Sequence, residues 1–169
     1  MINENLVVES QYVRQKRQIK KEVDESVLIG DLDLTQLETN KDYTVRLEVE
    51  IMDATLGTES RYIRFQGQGD VTGWNNDAPQ HIYNDTQPIK EGNSHYVLVG
   101  KIIRYSSNPN NKWMLSLRLN GFTSGYYRIS NFKVEDSDEP TLYVPHRSLL
   151  TEEQQNLMKY GEYTEIKSF

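Results

Sequence analysis

The stretch KWMLSLRLNGFTSGYYRISNFKVE, Lys112 to Glu135, decides the fold class. Trp113, Leu115, Leu117 and Leu119 alternate with Met114, Ser116, Arg118 and Asn120, the period of two that a strand shows when one face is buried. The run Asn120-Gly121-Phe122-Thr123-Ser124-Gly125 reads as a tight polar turn, because its glycines reach positive φ without a Cβ clash. A second strand then follows from Tyr126 to Glu135.

Working outward, the same period recurs. Tyr43, Val45, Leu47, Val49 and Ile51 oppose Asp42, Thr44, Arg46, Glu48 and Glu50, a half-solvated antiparallel strand. Ile63 and Phe65 oppose Tyr62, Arg64 and Gln66. Residues 94 to 105 are apolar on both faces, which predicts a central strand covered on both sides or a bulge near Gly100. Asn5 to Glu9 and Gly30 to Leu34 supply further short segments of strand type. At least six short strands separated by turns predict an all-β fold, a two-sheet antiparallel β-sandwich with a short C-terminal α-helix.

That helix is expected over 151–160. Thr151-Glu152-Glu153-Gln154 has the form of a capping box, and Gly161 lies just past the end. Leu150, Leu157 and Met158 give it a narrow apolar side, too little to fold without docking. The chain divides into a lead-in over 1–26, the sandwich over 27–145, and a helix and alternating tail over 146–169. In the lead-in, Arg14, Lys16, Arg17, Lys20 and Lys21 form a basic cluster that reads as a charged loop or short helix.

Composition narrows the function. The 169 residues are enough for one domain with an appendage. Mean hydropathy is low at -0.73, yet 36% of residues are apolar and eleven are tyrosines, a folded β-rich composition. A net charge of -6 argues against nucleic acid as a partner. The absence of cysteine removes disulfides, thiol nucleophiles and zinc-thiolate sites. No apolar run approaches the ~18 residues that span a bilayer, so no membrane partner is expected. Met1 to Ser10 lacks the apolar core of a signal peptide, which predicts synthesis in the cytoplasm.

After Glu135 comes a polar linker and the short signature Thr141-x-Tyr143-x-Pro145. This close, with the Asp42-Tyr43-Thr44-Val45-Arg46-Leu47 strand before it and Leu149-Leu150-Thr151-Glu152-Glu153-Gln154 after it, resembles the jelly-roll domains of tail and baseplate proteins of phages that infect Gram-positive bacteria. Those domains are similar to carbohydrate-binding modules. The chain departs from them in carrying Tyr143 where tryptophan is common. The resemblance implies a jelly roll in a virion, host adsorption by binding cell-wall or cell-surface polysaccharide, and contacts with other phage tail proteins or further copies of itself. The signature marks where the domain ends and carries no binding residues.

Candidate ligand residues come from the chain itself. A saccharide site needs an aromatic platform for the C–H face of a sugar and a few fixed polar groups for its hydroxyls. The long irregular segment from Gly67 to Asn93 offers Trp74 with Asn75 and Asp77, and Tyr83 beyond them. For Trp74 and Tyr83, packing into the core is the competing reading; for Trp113 the core is the expectation. A second platform is the polar side of two strands, Tyr62, Arg64 and Gln66 on one and Arg118 with Asn120 on the other. An ordinary solvated face is its competing reading, unless both strands share a sheet. Asp70, Asn75, Asn76, Asp77 and Asp85 lack the spacing of a calcium loop, and His81, His95 and His146 lack paired metal-ligand spacing, so neither metal nor cofactor is expected. No nucleophile elbow or phosphate loop is present, and the chain is expected not to be an enzyme. The rival to saccharide binding is a purely structural role in tail assembly.

Overall fold

The structure, a computed structural model, describes residues 3–7, 15–20, 23–27, 37–58, 62–68, 81–83, 89–103 and 114–159. The fold is all-β, with eight strands and one short α-helix among these residues. The strands are β1 (Arg17–Gln18), β2 (Val23–Val27), β3 (Asp42–Leu56), β4 (Tyr62–Gln68), β5 (His81–Tyr83), β6 (Gly92–Ile103), β7 (Met114–Asn120) and β8 (Phe122–Glu135). They form two four-stranded sheets in the orders β1-β8-β3-β6 and β2-β7-β4-β5, and every strand pair is antiparallel.

One hydrophobic cluster takes residues from both sheets. Tyr43, Val45, Leu47, Val49 and Ile51 of β3, Tyr96, Leu98 and Ile102 of β6, and Tyr127, Ile129, Phe132 and Val134 of β8 belong to it, together with Ile63 of β4 and Leu117 and Leu119 of β7. The period of two puts each of these on the buried side of its strand, and burial of this set is the main term that stabilises the fold.

Three local features differ from expectation. The turn read over 120–125 is reduced to Gly121: β7 belongs to one sheet and β8 to the other, so the chain crosses between sheets at a single residue with φ of 82°. Only glycine takes that conformation at no steric cost. Gly125 is already within β8, where a Cβ would lie 2.8 Å from Cα of Ala54 and 2.9 Å from O of Met52. Second, β6 is an edge strand and its register with β3 runs unbroken past Gly100. In its second apolar row Val99 is exposed, while Val97 and Ile103 are half-buried. Third, residues 17–18 of the basic cluster form β1 against β8, with Ile19 buried behind them.

A bulge in β8 shapes the end of the first sheet. Arg46 pairs with Lys133 but Glu48 pairs with Ser130, so β8 carries one extra residue there, and Asn131 takes a φ of 50°. The helix α1 (Glu152–Lys159) follows a 3-10 turn at Arg147–Leu149. Its capping box forms as the sequence predicts: N–H of Thr151 donates to Oε1 of Gln154 at 2.8 Å, and N–H of Gln154 donates to Oγ1 of Thr151 at 3.2 Å. Leu150 is buried ahead of it. Residues 28–36, which include the segment Gly30 to Leu34, and the tail over 160–169 lie outside the described residues.

Candidate functional site

The closing signature builds a lid on the first sheet. On β3 and β8, Thr44, Lys133 and Glu135 occupy positions that alternation assigns to solvent, yet each is buried. The segment after β8 covers them. Thr44 Oγ1 donates to O of Ser137, and the Nζ of Lys101 donates to O of Asp138 at 2.7 Å. Lys133 donates from Nζ to Oγ1 of Thr141 at 2.6 Å and to O of Leu142 at 2.8 Å, and it stands 3.1 Å from Oε2 of Glu135. Glu135 in turn accepts from N–H of Thr141 at 2.7 Å and from its hydroxyl at 2.6 Å. Burial lowers the pKa of the Lys133 ammonium, while the Glu135 carboxylate opposes that shift.

Asn5 ties the start of the chain to the same lid. Its Nδ2 donates to O of Phe132 at 3.0 Å and to O of Val144 at 3.1 Å, and its Oδ1 accepts from N–H of Val7 and of Val134. Tyr143 is buried, so the aromatic of the signature is packing and not a platform. Sequence reasoning missed Asn5, Lys133 and Glu135. The signals were present as Lys133-x-Glu135 on a polar strand face with Thr141 six residues on, but nothing local says that this face is covered.

Several other strand charges of the first sheet pair with one another. Arg46 lies 2.7 Å from Glu48, His95 lies 2.9 Å from the same carboxylate, and Arg128 bonds Glu50 through Nε at 2.8 Å. Burial raises the Glu48 carboxyl, but hydrogen bonds from Asn131 and Arg46, the Arg46 charge and His95 outweigh it and hold the group below its ordinary value.

The second sheet differs. β4 and β7 are neighbours in it, in the register Tyr62 with Asn120, Arg64 with Arg118 and Gln66 with Ser116. On the other side of β4, Arg64 pairs with Tyr83 and Gln66 with His81; on the other side of β7, Asp24 pairs with Arg118 and Ser26 with Ser116. Ile63, Leu117 and Leu119 are buried. The alternating positions Tyr62, Arg64, Gln66, Tyr83, Arg118 and Asn120 therefore share the opposite face. Asp24, Arg118, Arg64 and Tyr83 form one continuous row across four strands. Such a row spans ~14 Å at the usual inter-strand spacing.

Of the residues singled out in the sequence, Tyr62, Arg64, Gln66, Tyr83 and Arg118 are thus brought together. Trp74, Asn75 and Asp77 lie outside the described residues, in the segment that connects β4 to β5. The sequence shows no period from Gly67 to Asn93, yet β4 runs on to Gln68 and His81–Tyr83 forms β5 inside that stretch.

Elsewhere, a cavity of about 570 Å³ is lined by Glu4, His146, Arg147, Ser148 and Gln155, where the start of the chain meets the helix. Among the described residues, Leu142 and Leu149, on the closing segment and the 3-10 turn, are the two most exposed large apolar residues, at 60% and 54%. Among the described residues, no group of three or more His, Asp or Glu side chains is placed to hold a metal ion, and no helix is long and apolar enough to cross a membrane.

No family model and no curated protein matches the chain. Among solved structures, it is similar to a chain of the tripod (BppUct-A-L) from the baseplate of bacteriophage Tuc2009, at 17% sequence identity and a TM-score of 0.56. The match covers 88% of this chain and 60% of that one. At this identity the likeness is one of fold.

Proposed function

We propose that the chain is a non-catalytic module of a phage tail or baseplate, carried in the virion, that binds host cell-surface saccharide on the outer face of the β2-β7-β4-β5 sheet. The fold reading beneath this is a jelly-roll sandwich. It is supported by the strand orders β1-β8-β3-β6 and β2-β7-β4-β5, the interleaving expected when two Greek keys wind eight strands into two layers. The baseplate reading is supported by the fold shared with the Tuc2009 tripod chain and by the closing signature.

The observation that carries the site is the register of β4 with β7 and β5, which sets Tyr62, Arg64, Gln66, Tyr83 and Arg118 on one face. Tyrosine supplies the apolar surface that a sugar ring stacks on, and arginine and glutamine supply donors for its hydroxyls. On the other sheet the lid buries one end of the outer face and ion pairs occupy the middle, and its exposed Tyr126 already carries the Lys16 ammonium 4.1 Å from its ring centroid. A weak single site suits a particle that carries many copies, because linked sites multiply affinity through effective concentration. The test is binding of the purified chain to host cells. Tyr62→Ala and Tyr83→Ala variants that fold normally should each lose binding about tenfold, the effect of ~1.4 kcal/mol; full retention in both removes this site.

A second reading, a purely structural assembly module, is favoured by the exposure of Leu142 on the closing segment and of Leu149 on the 3-10 turn. Deleting everything from residue 146 is a poor test, because His146 and Leu150 are buried in the fold. Leu142→Ser with Leu149→Ser is cleaner. If the chain self-associates and this pair abolishes it while cell binding is untouched, assembly is the better account.

A further inference from the structure

The cavity of about 570 Å³ between the start of the chain and α1 is walled by Glu4, His146, Arg147, Ser148 and Gln155. Its size is that of a small-molecule site. Two of these residues carry opposite charge, and among the described residues neither forms an ion pair. The strand charges of the first sheet behave differently, since Arg46 pairs with Glu48 and Arg128 with Glu50.

The wall is held in place from both sides. Asn5 and His146 form a parallel bridge, which brings Glu4, just before the one, and Arg147, just after the other, to the same cavity. On α1, Gln155 donates from Nε2 to O of Arg147 at 3.2 Å and to O of Leu150 at 3.1 Å, and its Oε1 accepts from Nε of Arg147 at 3.4 Å. The guanidinium is thus anchored at Nε, and its two terminal nitrogens have no acceptor among the described residues. His146 adds another donor. Its Nδ1 accepts from N–H of Ser148 at 3.2 Å, so in the neutral ring the proton sits on Nε2. That Nε2 is buried without a partner among the described residues, in a residue only 9% exposed. A buried donor with no acceptor is rare in a folded protein and calls for an explanation.

We propose that this cavity binds a small zwitterion, a free amino acid or short peptide, with its carboxylate on the Arg147 fork and the His146 Nε2–H and its ammonium on Glu4. The guanidinium fork matches the paired oxygens of a carboxylate. The Glu4 carboxylate offers only acceptors, which suits an ammonium with its three donors. A ligand with a single charge leaves either Glu4 or Arg147 unmatched, so the cavity favours both charges on one molecule. None of the lining residues belongs to the β2-β7-β4-β5 sheet, and the inference does not depend on the saccharide reading.

The experiment is titration of the full chain with alanyl-alanine, with its N-acetyl derivative, which lacks the ammonium, and with its C-terminal amide, which lacks the carboxylate, followed through the backbone amides. The expected result is saturable shifts at Asn5, Arg147 and Ser148, with alanyl-alanine bound about tenfold tighter than either capped form. Arg147→Gln should erase the advantage over the amide, and Glu4→Gln the advantage over the acetyl form. Arg147 is exposed and Glu4 half-buried, so both variants should melt close to the parent. Should either fail to fold, the capped forms and the shift map on the parent decide alone. No binding of alanyl-alanine below about 10 mM, or equal binding of either capped form, overturns the zwitterion site. Shifts located away from the cavity, or advantages that survive both substitutions, overturn its assignment to these residues.

Discussion

Lys133 and Glu135 are fully buried, and the signature that follows β8 is held by them: Nζ of Lys133 stands 3.1 Å from Glu135 and donates to Thr141 and Leu142, while Glu135 accepts twice from Thr141. Removing one member leaves the other charged and enclosed. In Glu135→Gln the ammonium keeps two neutral acceptors and loses its counter-charge; in Lys133→Met the carboxylate keeps both Thr141 donors and loses its cation. Breaking a buried pair in this way costs ~3–5 kcal/mol. For a domain of this size that lowers Tm by roughly 6–20 °C. The double variant Lys133→Met/Glu135→Gln removes both charges and retains an acceptor for N–H of Thr141, so it should cost only ~1–2 kcal/mol, far less than the two single losses together. Urea denaturation of the four proteins gives the cycle directly. Single variants that each cost under ~1 kcal/mol, or a double variant whose loss equals the sum of the singles, would refute the view that this pair holds the lid.

Three further outcomes follow from the geometry. Glu48 titrates below the ordinary 4.5 in the folded chain, so its ionised form stabilises the fold above that pH and the contribution fades as pH falls through the folded value. Glu48→Gln should thus lose stability at pH 7 and approach the parent at pH 3, as read by thermal melts across that range. Gly125→Ala places a Cβ 2.8 Å from Cα of Ala54 at a φ of 127°, and should cost at least ~2 kcal/mol in denaturant titrations. Asn5→Ala strips the bonds to O of Phe132, O of Val144 and the N–H groups of Val7 and Val134. With buried backbone groups left unpaired, it should lose ~3 kcal/mol or more and raise amide exchange around Val134.

The sequence was most legible where a strand is long and buried on one face only. β3, β4 and β7 show themselves through alternation, and α1 through its cap, because both signals are local. β5 is three residues long, too short to show a period, and its sequence does not stand out from a loop. Gly121 looked like part of a hairpin because a turn and a sheet-crossing corner call for the same glycine; the partners of β7 and β8 distinguish them, and those partners are far away in the chain. The lid was hidden for a similar reason. Lys133 and Glu135 lie on the polar side of β8, and only the fold-back of residues 136–145 makes that side interior. Of the candidate site, the trio Tyr62, Arg64 and Gln66 was visible on one strand. Its union with Arg118 and Tyr83 is a matter of register, which a single strand does not encode.

Amide chemical shifts read the outer face of the β2-β7-β4-β5 sheet directly. With backbone resonances assigned, titration of cell-wall polysaccharide from the host into the chain should move the amides of β4, β5 and β7 around Arg64, Tyr83 and Arg118, saturably, and leave β6 and the lid at Lys133 to Pro145 unmoved. Saturable shifts confined to the β1-β8-β3-β6 sheet or to the helix, or no shifts at all, would contradict binding at that face.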